Sequence, residues 1–254
     1  MSKQIGDMAR RVIRASGRTA ERRWLRRIVL LMIGAGCLYE GWILVRVIRL
    51  RTTNPTMTAL MKIRQEEARR QGKRPRRVQI WVPYERLSPH LVRAVLAGED
   101  SRFFDHAGFD WEEIQKAIKK DWEERGFVRG ASTITQQLAK NLFLSPSRNP
   151  LRKLQEAIIT VELELLLSKR RILEIYLNVI EWGDGIYGAE AAARHYFRTS
   201  ASALTIDQAA FLAAIIPGPL GAYHPQRHPA RVARRAALIE RLMRHVLIPP
   251  EMAR

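Results

Sequence analysis

The chain has 254 residues, 46% of them hydrophobic, with 44 Lys and Arg against 25 Asp and Glu, a formal charge of +19, and one cysteine. That length holds one ordinary domain plus additional segments. A single cysteine excludes an internal disulfide and a cysteine-based zinc site, and the place of Cys37 inside an apolar run makes it a small packing residue.

Residues 1–27 form a basic tail, with nine Lys/Arg against Asp7 and Glu21, a net +7. The apolar run Ile28 to Val45 follows, extending to Ile48 if Arg46 reaches an interface. At about 1.5 Å per residue it reaches roughly 27 Å, near the thickness of the hydrocarbon core, so residues 28–48 are expected to form one transmembrane helix. Glu40 and three glycines weaken the span, since an ionisable group there costs a few kcal/mol away from an interface. A cleaved signal peptide and a buried helix are the alternatives; the long basic lead-in and the lack of a small-x-small cleavage site favour an uncleaved anchor. Eight Lys/Arg precede the span within twenty residues and five follow it within twenty, a modest bias that favours a cytoplasmic N-terminus.

Residues 49–77 are expected as a basic membrane-proximal linker, broken at Asn54-Pro55, with the Met57-to-Met61 patch against the membrane. Residues 46–77 carry eleven Lys/Arg against Glu66 and Glu67, a net +9, while residues 78–254 carry 24 against 20, only +4. Charge that flanks an apolar segment and avoids the large domain belongs at a membrane surface. A nucleic-acid stripe would lie on the folded domain, so no nucleic-acid partner is expected.

Residues 78–254 read as one all-α domain after a single β-like run, Val78 to Val82, which Pro83 ends. Ser88-Pro89 is an N-cap followed by Pro at the first helical position, leading into the apolar run Leu91 to Ala97, and Asp110 with Glu113 has capping-box spacing. Asp121 to Arg129 is polar, includes Gly126, and is expected as a mobile flap. Asn149-Pro150 opens a long helix toward Leu167; Thr205 with Gln208 caps another that Pro217 ends; Pro229 to Val246 is a last amphipathic helix, basic outside.

Two polar clusters interrupt this pattern. The first is Glu99-Asp100-Ser101-Arg102-Phe103-Phe104-Asp105-His106-Ala107-Gly108. A carboxylate emerging from an apolar helix is partly desolvated, which raises its pKa toward the range of a useful base. The second runs from Gly130 to Asn141, where Ile134, Leu138 and Leu142 supply a buried stripe and Ser132, Thr133, Gln136, Gln137 and Lys140 stand together. The combination suits a site that handles sugars.

The pattern Glu99-Asp100-x-x-Phe103-x-x-His106-x-Gly108, then Gly130-x-Ser132-Thr133-Ile134-x-Gln136-Gln137-x-x-Lys140-Asn141, resembles the peptidoglycan glycosyltransferases of glycosyltransferase family 51. Further matches come in family order at Arg152-Lys153-x-x-Glu156, at Ser168-Lys169 to Asn178, and at Gly185-Ile186-x-Gly188 to Tyr196-Phe197. The stretch from Pro217 to Pro225 follows the family's closing pattern only loosely. Residues after 200 lack the Ser-x-x-Lys, Ser-x-Asn and Lys-Thr-Gly set of a penicillin-binding transpeptidase, so the resemblance is to the monofunctional, biosynthetic branch.

The resemblance implies a lysozyme-like fold of two lobes around a cleft, and polymerisation of the lipid-linked disaccharide lipid II into β-1,4 glycan with release of undecaprenyl diphosphate. It implies a bacterial inner membrane, with the catalytic domain on the periplasmic side. The expected partners are lipid II, the growing glycan strand, membrane lipids, and cell-wall synthesis or division proteins. Glu99 matches the family's catalytic glutamate and is expected to be the base, with Asp100 in support and Phe103 and Phe104 as wall; His106 is either a hydrogen-bonded structural group or a catalyst. Lys140, Arg148, Arg152 and Lys153 are read as diphosphate binders, near a helix start that also favours phosphate. Glu156 matches the second important glutamate, and three roles stay open: organising these cations, coordinating a divalent ion such as Mg²⁺ or Mn²⁺, or helping the leaving group. Ser132, Thr133, Gln136 and Gln137 are expected to bond sugar hydroxyls, with Thr133 and Gln136 alternatively a helix cap. Glu164 and Glu174 also fall on motif positions, where structural ion pairing is the preferred reading. The competing readings are a lysozyme-like lytic enzyme and a non-enzymatic membrane-anchored binding protein.

Overall fold

The computed structural model describes residues 2–124, 132–146 and 149–252. The chain divides into two compact units, Met1–Arg46 and Val47–Arg254. The first is occupied by α1 (Ser2–Arg49), whose stretch Arg26–Arg49 is long and apolar enough to cross a membrane and contains the expected span. Cys37 is free and exposed on it rather than packed.

In the second unit, α2 (Ala59–Arg70) starts from Thr58, whose Oγ1 accepts the Met61 amide at 3.1 Å. Met61 is fully buried in the core, not laid on a membrane. Arg64, from the same helix, donates Nε to both oxygens of buried Glu181 at 3.0 and 3.2 Å and Nη2 at 3.1 Å. The segment expected as a linker is thus folded into the domain. Its basic face dominates the composition and hides one narrow packing stripe.

The expected strand shrinks to β1 (Val78–Gln79). Asn178 explains why: its Oδ1 accepts the Val82 amide and its Nδ2 donates to the Val82 carbonyl, both at 2.8 Å, in place of a strand partner. Two short strands that the sequence did not announce, β2 (Glu181–Gly183) and β3 (Ile186–Tyr187), complete a sheet of order β1-β3-β2. β3 is parallel to β1 and antiparallel to β2. Asp184-Gly185 makes the hairpin turn, with Gly185 at φ +69°. A Cβ there would lie 2.6 Å from the Arg76 carbonyl oxygen.

The helices form two packed groups. α3 (Pro89–Glu99), α9 (Ile206–Ile215) and α10 (Pro229–Leu242) pack on one another, with the small apolar residues of α9, such as Ala210 and Ala213, buried. α5 (Ile134–Phe143) packs on α2, on α6 (Pro150–Leu166) and on α7 (Lys169–Val179). α4 (Trp111–Glu124) and α8 (Ala189–Phe197) complete the unit. α4 runs through Asp121–Glu124, and the rest of the expected flap lies outside the described residues.

Local caps explain most boundaries. Ser88 accepts the His90 amide ahead of Pro89, Asn149 accepts the Leu151 amide ahead of Pro150, and Thr205 and Gln208 form a reciprocal box. Asp110 Oδ1 accepts the Glu113 amide at 3.0 Å at the start of α4. α10 stops at Leu242 and a 3₁₀ turn covers Met243–His245, so the last helix is shorter than expected. One face of α6 is left bare: Leu151, Leu154, Ile158, Val161 and Leu165 are all exposed.

Candidate active site

The two helix groups meet at the C-terminal end of α3. Glu99 is its last residue, and its side chain is 8% exposed. Nη2 of Arg235, from α10, donates to Oε1 at 3.0 Å, and Nε2 of Gln137, from α5, donates to Oε2 at 2.9 Å. Burial pushes the Glu99 carboxyl above the ordinary carboxylate range, and Gln137, Arg235 and Lys140 pull against that rise. A desolvated carboxylate held between a cation and an amide donor has the character of a general base.

Asp100, the next residue, does a different task. Its Oδ2 accepts the Ile134 amide at 3.0 Å at the first turn of α5, and its Oδ1 faces His106 Nε2 at 3.0 Å. His106 Nδ1 accepts the Gly108 amide at 3.2 Å, so the ring proton sits on Nε2 and points to Asp100. His106 is a structural link between loop and helix. Phe103 is fully buried, with Lys169 Nζ 4.3 Å from its ring centre, and so is core rather than wall. Phe104 packs edge-on against it, centroids 5.2 Å apart.

Thr133 and Gln136 take the capping alternative. Thr133 Oγ1 accepts the Gln136 amide and Gln136 Oε1 accepts the Thr133 amide, and both residues are buried. Thr133 Oγ1 also donates to the Gly108 carbonyl at 2.7 Å. Both side chains thus serve the start of α5. Ser132 differs: it is exposed and lines an open pocket with Gly98, Glu99, Asp100, Asp110 and Glu113.

The cations gather at the start of α6. Glu156 is buried, accepts Arg152 Nη1 at 2.8 Å and is also bonded by Lys153 Nζ. Arg152 is 18% exposed and Lys153 54%. Across on α5, Lys140 remains accessible to solvent, yet crowding around its ammonium lowers its pKa; Glu156 opposes this, Lys153 and Arg152 add to it, and Glu99 opposes it. Lys140 therefore feels both glutamates. Arg148 lies outside the described residues. Glu164 pairs with Lys169 at 2.9 Å and Glu174 with Arg171 at 2.6 Å, as structural ion pairs.

Residues 65–244 match the family model described as Transglycosylase. The chain belongs to that family. It is 50% identical over 224 residues to the biosynthetic peptidoglycan transglycosylase of Methylobacillus flagellatus, covering 88% of this chain and 97% of the relative. It is 51% identical over 217 residues to the protein of the same name from Dechloromonas aromatica, covering 85% and 94%. With that of Chromobacterium violaceum it shares 48% over 227 residues, covering 89% and 99%. The helical domain is accordingly lysozyme-like, as the resemblance implied.

Three residues at this family site were not anticipated. Arg235 was read only as part of a basic outer face. Tyr223, in the loosely matching Pro-rich stretch, lies under the Arg235 guanidinium, 5.4 Å from ring centre to Cζ. Tyr176 donates to Gln137 Oε1 at 2.8 Å from a fully buried position. Tyr176 and Arg235 reach the site across 39 and 136 residues of sequence, and Tyr223 reaches it through Arg235; the Ser168–Asn178 match marks the position of Tyr176 but not its role.

Proposed function

We propose that this chain polymerises lipid II into β-1,4-linked glycan with release of undecaprenyl diphosphate, by direct inverting displacement. The observation that carries the reading is the place of α5: it sets Gln137 on buried Glu99, bears Lys140 three residues further on, and packs on α6, which carries Glu156 with Arg152 and Lys153. A base and a cation cluster at one site are what this transfer needs.

The 4-hydroxyl oxygen of the acceptor attacks C1 of the donor. The bond from C1 to the diphosphate oxygen breaks, its electron pair leaves with the diphosphate, and the hydroxyl proton passes to Glu99. A sugar hydroxyl is a weak nucleophile at neutral pH, so a positioned base assists it. Negative charge grows on the leaving diphosphate, where Lys140, Arg152 and Lys153 meet it together with the first amides of α6. Ser132, beside Glu99, is placed to bond a sugar hydroxyl.

Of the three roles open to Glu156, gathering the cations fits best. Its contacts support that role, since one carboxylate oxygen accepts Arg152 Nη1 and the other Lys153 Nζ. Among the described residues no group of three His, Cys, Asp or Glu side chains is placed to hold a metal.

A single-pass anchor at Arg26–Arg49 in the bacterial inner membrane, with the catalytic unit on the periplasmic side, keeps the enzyme where its lipid-linked substrate lies. Membrane lipids, the growing strand, and cell-wall synthesis or division proteins are the partners of that location. The test is the purified chain incubated with lipid II. Long glycan supports the reading; shortening of preformed glycan makes the chain lytic, and no change makes it a binding protein.

A further inference from the structure

We infer that Arg235 is a positioning residue for the reaction, holding Glu99 ionised and aimed from the far side of the site. The inference rests on Glu99 being the base, as proposed above. Its starting point is geometric. Nη2 of Arg235 donates at once to Glu99 Oε1 at 3.0 Å and to the Gly98 carbonyl at 2.8 Å, so the guanidinium is fixed to the backbone that carries the carboxylate.

α10 passes close over Gly98 through its side chains. A Cβ there would lie 3.0 Å from Ile239 Cδ1 and 3.7 Å from Arg235 Nη2. The tight neighbour is the Ile239 side chain of α10, while the guanidinium stands at ordinary contact distance from that position. From beneath, Tyr223 carries the cation on its ring face, a contact worth about 0.5–2 kcal/mol.

As a stabilising device alone the arrangement is poor. Burying an ion pair costs about as much as the pair returns, and Arg235 Nε is buried without a hydrogen-bond partner among the described residues. Such a group typically costs about 1–3 kcal/mol. As a catalytic support it makes sense. Burial raises the Glu99 pKa, and an adjacent positive charge opposes the rise and keeps the carboxylate ready to accept a proton. Once the proton arrives, the same charge favours its onward loss to water, which restores the base.

The other groups facing Glu99 do not replace this. Lys140 and Gln137 come from α5, and Tyr176, from α7, bears on it as a neutral hydroxyl. Asp100, Asp110 and Glu113 share its pocket and carry the wrong sign. Of these groups Lys140 alone adds positive charge, and it is also within the field of Glu156.

The experiment is the pH profile of kcat for glycan synthesis by the full-length chain and by Arg235→Gln, Arg235→Lys, Gly98→Ala and Glu99→Gln, each checked for its thermal midpoint. Arg235→Gln keeps a donor and loses the charge. Its acid limb is expected at higher pH, with a loss of at least about tenfold at the acid end that shrinks as pH rises. Arg235→Lys restores the limb toward wild type. Gly98→Ala, whose Cβ would press only on the Ile239 side chain and leave Arg235 at ordinary contact distance, keeps the wild-type limb and controls for local crowding. Losses parallel at every pH in both Arg235 variants, or an unmoved limb in Arg235→Gln, overturn the inference. If Glu99→Gln is inactive while the limb stays fixed in Arg235→Gln, only the role of Arg235 fails; if Glu99→Gln is active, the base assignment itself fails.

Discussion

Gln137 gives its amide N–H to Glu99 and its amide oxygen to Tyr176, and the second contact fixes the first. The Tyr176 hydroxyl donates to Gln137 Oε1 at 2.8 Å, which leaves Nε2 to donate to Glu99 Oε2 at 2.9 Å. A flipped amide would set its oxygen against the carboxylate. Tyr176→Phe removes the hydroxyl that enforces this choice. We expect kcat to fall about tenfold, the cost of roughly one lost hydrogen bond to a charged group, with KM nearly unchanged. A rise in KM with kcat unchanged would instead place Gln137 in substrate binding.

Glu99→Gln preserves shape and hydrogen-bonding reach but cannot take the acceptor proton. Base catalysis contributes about 10²–10⁴-fold, so polymerisation should fall at least about a hundredfold. Stability should move the other way. The Glu99 pKa is raised in the folded state, chiefly by burial. The stabilisation tied to its protonated form is therefore full below the unfolded pKa and lost as pH rises through the folded one. The neutral amide escapes that loss, so the thermal midpoint at neutral pH should equal or exceed that of wild type, with the gap closing on acidification. A clearly lower midpoint at neutral pH contradicts this.

Arg152 and Lys153 touch the same carboxylate from different depths. Arg152→Ala leaves Glu156 buried beside one well-exposed lysine, and breaking a buried pair by removing one partner costs about 3–5 kcal/mol. We expect a visibly lower thermal midpoint and lower kcat. Lys153→Ala removes a cation that is 54% exposed, so its stability change should be under about 1 kcal/mol and its loss of turnover milder. Equal midpoints in the two variants would show that the depth difference has no energetic weight.

Crowding lowers the Lys140 pKa, so its charge is lost at a lower pH than that of an ordinary lysine. If that charge meets the departing diphosphate, the alkaline limb of kcat lies below the normal lysine range. Lys140→Arg, which does not deprotonate, should carry activity to higher pH even if its peak rate is reduced. An alkaline limb identical in the two proteins assigns it to another group.

A chain beginning at Val47 should fold as the full protein does, whereas one beginning at Arg51 should not. Val47 and Leu50 are buried, and Arg171 Nε donates to the Leu50 carbonyl at 2.8 Å. On long-chain substrate in bilayers the Val47 chain should work poorly, and detergent-dispersed substrate should restore much of the rate, since an anchor supplies proximity. Equal thermal midpoints for the two truncations would move the boundary.

What the sequence made legible was local. Ser88, Asn149 and Thr205 with Gln208 mark helix starts because a cap is settled within three residues, and Ile134, Leu138 and Leu142 mark the buried face of α5 because a helix repeats every 3.6. β2 and β3 were missed because two or three residues cannot display an alternation; Asp184-Gly185 was the one signal present. The motif pointed to Glu99, Lys140 and Gln137, though to Gln137 as a sugar contact rather than as a donor to Glu99, and not to Arg235. Arg235 meets Glu99 from 136 residues away, on a helix whose charge suggested only solvent. Met61 was misplaced for a related reason, since one buried methionine carries little weight in a strongly basic stretch.

The bare face of α6 bears on how the protein behaves in the hand. Leu151, Leu154, Ile158, Val161 and Leu165 follow each other at spacings of three and four along one side of a helix, the seam by which helices pair in water. In aqueous buffer without amphiphile, pairing of two such seams is the expected outcome, and a dimer seen by sedimentation or scattering only under those conditions would report a sheltered helix face. Mild detergent that dissolves the dimer and leaves turnover intact is the sign of that origin.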